Sequence, residues 1–529
     1  DREMHWAPSN VLLSLMQYAE AEPAKSEEAV EAMVGHLLEV RRRLGSVPLV
    51  SWAKARWIDM AYATEWLLSG GFAGGHEAEL DDLLRLLHEQ GEDWDAVFLH
   101  PNGQHNVNVA QGLKSAAVEQ LASDGSNDSH FAALSRQRMD TMDSLFGLPN
   151  GMYIGDELLP LNATRNPSRG IELCGVVEAM FSYSVMFGVH GDVAFADRAE
   201  LIAYNALPAT WASPRGGDMW AHQYLQAVNE INAIKSDPHI WPNDGPVAET
   251  YGLEPNFGCC TANFNQGWPK FANAVIFTVD RAGEEGIVVA FWAPAAAVTP
   301  YGHIDIDTSY PFGDDAVVTV QAVLPISLYL RVPAWAVDAE VQGKPVQNGT
   351  MLRIPCAAGK QVVTMSFKPR IRIEAADDTP GTAYSVHRGS LMYALPLGLN
   401  WTTTGHHYAE SFDYEVRPTT PWAFALDADP AHPAATLAFA SRGYSYPDAP
   451  FNSSGWPVQI TATLRPVLSG WTEEKNSAAA PPRSPACAGN NASHCGAPEQ
   501  ATLVPYGSTV LRISVMPLTG TSSSAQLVI

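Results

Sequence analysis

Basic residues are scarce in this chain. Its 32 Lys and Arg stand against 57 Asp and Glu, a net charge of −25. Nucleic acids and anionic membranes both reward a basic face, so neither is expected as a partner. Long apolar runs are missing as well, which leaves no candidate membrane span. No cleavable leader stands at the start, which opens Asp1-Arg2-Glu3-Met4-His5-Trp6. Cysteine is rare: six in 529 residues cannot build a disulfide scaffold. Short-period repeats are lacking, so a solenoid is not expected. What remains, at 46% hydrophobic and 17% charged residues, is a globular chain too long for one core, and two to four domains are expected.

The texture of the chain changes once. To about residue 272, apolar residues recur at three and four, which predicts helices near Leu12–Tyr18, Val30–Leu44, Trp52–Leu68, Leu80–Leu87, Val107–Leu121, Ala132–Leu145 and Cys174–Val189. Helix–turn–helix pairs without intervening strands suggest an α/α toroid or barrel of the (α/α)6 type. After Asn273 the runs become short, β-branched and set between turns. Ile287–Trp292, Val317–Val323, Leu328–Val332 and Val362–Phe367 read as strands, and so do Val458–Leu464 and Thr509–Val515 further on. The expected division is a helical domain over 1–272 and two β-sandwich domains over 273–385 and 386–529. Between the last strands, Ser477–Pro498 is rich in Ala, Pro, Ser and Asn and reads as a mobile surface loop.

The placement of the cysteines is informative. Cys487 and Cys495 bracket a Pro-, Ala- and Asn-rich stretch that suits a surface disulfide, and Cys356 stands alone as a small hydrophobe. Sequons occur at Asn127, Asn162, Asn348, Asn400, Asn452 and Asn491; six together favour a eukaryotic secretory route and an extracellular protein. The other three cysteines belong to two polar segments. Gly155-Asp156-Glu157 is followed by Glu172-Leu173-Cys174 at the head of a helix, and Gly258-Cys259-Cys260-Thr261 follows later. A Glu-X-Cys pair plus a Cys-Cys pair supplies three thiolates and one carboxylate, a complete set for a tetrahedral zinc. Two apolar cysteines buried beside a helix are the ordinary alternative, and spacing alone does not choose between them.

Separated matches in order resemble the glycoside hydrolase families 127 and 146, which include β-L-arabinofuranosidases. They are carried by Ser51-Trp52-Ala53-Lys54-Ala55-Arg56-Trp57, His105-Asn106-Val107-Asn108-Val109-Ala110-Gln111 and Gly151-Met152-Tyr153 through Glu157. They continue in Glu172-Leu173-Cys174, Tyr204-Asn205-Ala206-Leu207-Pro208-Ala209, Met219-Trp220-Ala221-His222-Gln223-Tyr224, the Cys259-Cys260 pair and Leu503-Val504-Pro505-Tyr506-Gly507. The resemblance spans nearly all the chain. It implies an α/α barrel followed by β-sandwiches, and zinc held by Glu172, Cys174, Cys259 and Cys260. Cys259 is then the nucleophile of a retaining double displacement, and Glu157 the acid/base, with Asp156 as the alternative one residue away.

His105, His222, Gln223 and Tyr224 become candidates for contacting sugar hydroxyls, with Trp220 or Trp268 stacking on a sugar face. The implied substrate is an arabinofuranoside-containing glycan or glycoprotein. Eight or nine helices, the seven named above among them, fall short of the twelve in a full toroid. The first helices are therefore expected ahead of Asp1, from an upstream segment or a neighbouring copy of the chain. Two other readings stand beside this one. The protein could be an extracellular structural or glycan-binding protein that keeps zinc for stability. A glycosidase or lyase using Asp156, Glu157 and Glu178 ranks last, because it leaves the cysteine pair without a role.

Overall fold

The structure, a computed structural model, describes residues 7–123, 128–212, 221–241, 244–253, 258–280, 283–406, 411–442, 449–453, 455–488 and 493–520. The chain forms two compact units, residues 1–142 with 188–191, and residues 143–187 with 192–529.

The first unit is helical. Ser26–Leu44 shows why: Ala29, Met33, Leu37, Val40 and Leu44 recur at three and four and are all buried. Glu27 and Glu28 sit in its first turn and Arg41, Arg42 and Arg43 in its last, each sign at the favourable end of the helix dipole. The predicted Trp52–Leu68 helix is two, Ser51–Ala55 and Trp57–Ser69, with the chain leaving helical geometry at Arg56. Val107–Leu121 likewise divides into Asn106–Gly112 and Ser115–Leu121. Trp57–Ser69 is buried nearly all round and carries Asp59, which holds the fully buried Lys114 ammonium at 2.7 Å.

The same helix buries Glu65, whose Oε1 has no hydrogen-bond partner among the described residues. Burial, and then the charge of Asp81, pushes its carboxyl up to about 7. A raised carboxyl is neutral in the folded chain at low pH, and the cost of its ionisation grows as pH climbs from the unfolded value toward 7. Glu65→Gln is therefore expected to leave stability unchanged near pH 4 and to raise it by about 1–3 kcal/mol above pH 7. Denaturant unfolding at both pH values checks this; equal effects at both would show that the burial is not felt as charge.

The second unit contains most of the buried core helix Leu173–His190, residues 173–187, and continues into mainly antiparallel sheets. One sheet runs Lys344–Pro345, Glu340–Val341, Gly359–Ser366, Asp315–Ala322, Gly302–Thr308, Ala295–Thr299. Asp315–Ala322 alternates, burying Ala316, Val318, Val320 and Ala322, so one face looks into a core. A four-stranded sheet runs Thr350–Cys356, Ile326–Val332, Gly286–Val289, Ile276–Val279, its middle pair parallel. Arg331, fully buried in that sheet, pairs with Glu200 and Asp197 and ties it to the helix Val193–Leu201.

The remaining large sheet includes Tyr384–Arg388, Leu391–Pro396, Glu499–Pro505 and Val458–Pro466. Of the predicted strand Thr509–Val515 only Arg512–Ile513 pairs as one, yet the whole stretch is buried. The stretch predicted as a mobile loop is anchored at points among its described residues: Ala478, Ala486 and Cys487 are buried, and Ser484 and Ala486 donate backbone hydrogen bonds to Gly381 and Leu518. Prolines remove donors but leave carbonyls and apolar rings, so such text can lie along a sheet without forming a strand.

Candidate active site

The site is assembled by a narrow ladder in the second unit. Gly155 pairs with Ile171 in parallel, and Ile171 and Glu172 pair with Gln226 and Leu225. Gly170 is needed there, because a Cβ would stand 2.9 Å from Leu225 Cδ1 and 3.1 Å from Asp156 Cβ. Residues 155–157, 170–172 and 224–226 are thereby brought side by side. Leu173 N donates to the Tyr224 carbonyl at 3.0 Å, where the ladder passes into the helix that carries Cys174.

The two carboxylates after Gly155 have different fates. Asp156 is fully buried and receives Arg169 Nη2 at 2.6 Å and Nε at 3.1 Å, a charge-assisted pair that anchors it. Glu157 is half-buried and accepts from the Tyr224 hydroxyl. Its backbone φ is +75°, a conformation that a residue with a Cβ rarely adopts. Such local strain persists where the surroundings impose it, and it concentrates at working sites. Burial first, then the charges of Glu172 and Asp244, push the Tyr224 hydroxyl far up, so it stays a hydrogen-bond donor.

Cys174 and Cys260 are buried, and their sulfurs lie 3.3 Å apart. Cys259, in the short helix Gly258–Phe264, is exposed, and all three sulfurs lie within 4.8 Å of one another. The hydrogen bond with Cys259 pushes the Cys174 thiol well up, with burial and the Glu172 charge adding to it; burial acts first on Cys260. Glu172, 2% exposed, stands two residues before Cys174. Without a cation, crowding and burial thus favour protonated thiols. A metal ion reverses that preference, and three convergent sulfurs are a donor set that could hold one.

The other predicted site residues fall in several places. His222 is buried beside the cysteine helix, with Nε2 2.9 Å from Thr261 Oγ1, whose hydroxyl donates to the Leu253 carbonyl. Gln223 is fully buried, its amide donating to Glu230 and to the Glu249 carbonyl. Glu230 in turn pairs with the fully buried Arg512 at 2.5 Å, so the C-terminal stretch pins this segment. Trp268 packs against Tyr204, Phe271 and Phe451, and Glu178 pairs with Lys270 at 2.8 Å.

His105 belongs to the first unit, where it caps the helix Asn106–Gly112 and meets the Trp52 ring edge-on at 4.7 Å. Cys487 and Cys495 form a disulfide. Asn162 and Asn400 are exposed and Asn348 and Asn452 half-buried, while Asn127, Asn491 and Trp220 lie outside the described residues. Sequence reasoning missed Asp244, a single acid before a glycine whose charge acts on the same site.

No family model and no curated protein matches the sequence. Solved structures do. A family 127 β-arabinofuranosidase superposes with a TM-score of 0.58 at 16% identity, over 88% of this chain and 69% of its own. A β-L-arabinofuranosidase of the same family from Geobacillus stearothermophilus T6 gives 0.56 at 14% identity, over 87% of this chain and 72% of its own. A further glycoside hydrolase gives 0.53 at 15%, over 87% and 83%. The chain has a fold like that of family 127, helical first and then strands in several sheets.

Proposed function

We propose that this protein is a secreted, zinc-dependent retaining glycoside hydrolase that removes β-L-arabinofuranosyl or a related sugar from glycans or glycoproteins. On this reading its helical part is a shortened α/α toroid ahead of two β-sandwich domains. One observation carries the proposal: three thiols converge, the exposed one of them is Cys259, and Glu157 stands on the ladder that leads into the same cluster. The fold of the structural neighbours supports the reaction class.

The Cys259 thiolate attacks the anomeric carbon and forms a C–S bond as the C–O bond to the leaving group breaks. Protonated Glu157 gives its proton to the departing oxygen. Glu157, now a carboxylate, then takes a proton from water, whose oxygen displaces sulfur and restores the thiolate. The Tyr224 hydroxyl donates to Glu157 and orients it, while Asp156 is engaged by Arg169. Cys174, Cys259 and Cys260, whose sulfurs converge, would hold zinc, with Glu172 as the fourth ligand. Bound there, it would hold the thiols deprotonated and fixed.

The proposal is tested on a panel of aryl furanosides and pyranosides, with zinc, after removal of metal by a chelator, and after zinc is restored. Turnover of an arabinofuranoside that falls with the chelator and returns with zinc is the expected result. Zinc at a thousandfold excess over its Kd should also add about 4 kcal/mol to stability, read as a rise in Tm that Cys260→Ala abolishes. Zinc binding and a Tm rise with no turnover on any glycoside would make the site structural only.

A further inference from the structure

Four buried carboxylates in the second unit come with cations. Asp156 has Arg169, Glu178 has Lys270, Glu200 has Arg331 and Glu230 has Arg512. Asp244 does not. It is 8% exposed, both its carboxylate oxygens are buried, and among the described residues neither has a hydrogen-bond partner. Burial pushes its carboxyl up to about 8, and the charges of Glu157, Asp156 and Cys259 push the same way, so it stands within electrostatic reach of the reacting groups. Its own charge reaches Tyr224, the donor to Glu157.

Such a group lowers stability, because a desolvated acceptor without a partner is costly and three like charges add to that cost. A residue of this kind is explained by what it meets when the site is filled. Two oxygens on one carbon match two neighbouring hydroxyls, each donating one hydrogen bond. A sugar supplies such hydroxyls next to its anomeric carbon.

We propose that Asp244 is a sugar-binding residue, whose two carboxyl oxygens take the hydrogen bonds of neighbouring hydroxyls on the glycone held against Cys259. This rests on the glycosidase reading given above. It adds a residue that fixes the ring while Cys259 and Glu157 act on C1, and it makes the enzyme selective for glycones carrying both hydroxyls.

The test pairs the full-length zinc-loaded protein and its Asp244→Ala variant with an aryl arabinofuranoside and its 2-deoxy and 3-deoxy forms. Wild type should lose about 10- to 100-fold in kcat/KM on a deoxy form that lacks a bonded hydroxyl. Asp244→Ala should lose a similar factor on the parent and be indifferent to that deletion, a coupling that a structural role does not produce. Asp244→Asn should keep the Tm at neutral pH and raise it above pH 8, where the native carboxyl carries a buried charge. The inference falls, with the glycosidase reading intact, if Asp244→Ala stays within twofold of wild type on the parent. It also falls if the variant loses equally on all three substrates with a lowered Tm. If wild type turns over none of them, the glycosidase reading falls and calorimetric titration of the parent furanoside decides for Asp244. Weaker binding by Asp244→Ala would support it, and equal or absent binding to both proteins would overturn it.

Discussion

Replacing Cys259 by Ser is expected to reduce turnover at least about 10⁴-fold while the protein stays folded. The size follows from the nucleophile: a serine hydroxyl is far harder to ionise than a thiol and is a poorer ligand for zinc. The survival of the fold follows from position. Cys259 is exposed on a seven-residue helix, so its sulfur fills no core space. Cys174 and Cys260 are 4% and 0% exposed, and the same change there should lower the Tm as well as the rate. The three serine variants therefore separate along two axes, rate and stability. Normal turnover by Cys259→Ser would end the thiolate mechanism, and it would direct attention to the carboxylates around Glu157.

Much of this arrangement is legible in the sequence, for physical reasons that differ by residue. The helices show because burial on one face leaves a three/four rhythm, as in Ser26–Leu44, and the strands show because Asp315–Ala322 alternates. The thiol trio is legible because two short motifs each carry their ligands locally, and the fold only has to bring two segments together. Gln223 reads as a sugar contact from its neighbours, yet its amide is turned inward by Glu230 and ultimately by Arg512, some 280 positions away. No local pattern carries that information. Asp244 is hidden for the same reason. A single acid before a glycine looks like turn chemistry, and only the folded chain shows that it is buried, without a partner among the described residues, and under the charge of Glu157.

Glu157→Gln is expected to slow hydrolysis about 10²–10⁴-fold, by an amount that depends on the leaving group. A glutamine can neither give a proton to the departing oxygen nor take one from water, but it keeps the side-chain size and the strained backbone at φ +75°. With an alkyl or sugar leaving group the first step needs the proton, so both steps slow and the enzyme remains free. With a nitrophenolate leaving group the first step proceeds without acid help, and the slow second step leaves sugar on Cys259. Mass spectrometry of the digested protein should find that adduct on the Cys259 peptide, and added azide, which needs no base, should release it as a glycosyl azide of retained configuration.

Asp156→Asn separates the two neighbouring carboxylates. Asp156 is fully buried and anchored by Arg169, so its loss should lower stability and cost the same factor for every leaving group. If instead the leaving-group dependence appears in Asp156→Asn and is absent from Glu157→Gln, the acid/base is Asp156. An adduct found on a carboxylate would overturn the sulfur nucleophile, whichever residue gives the proton.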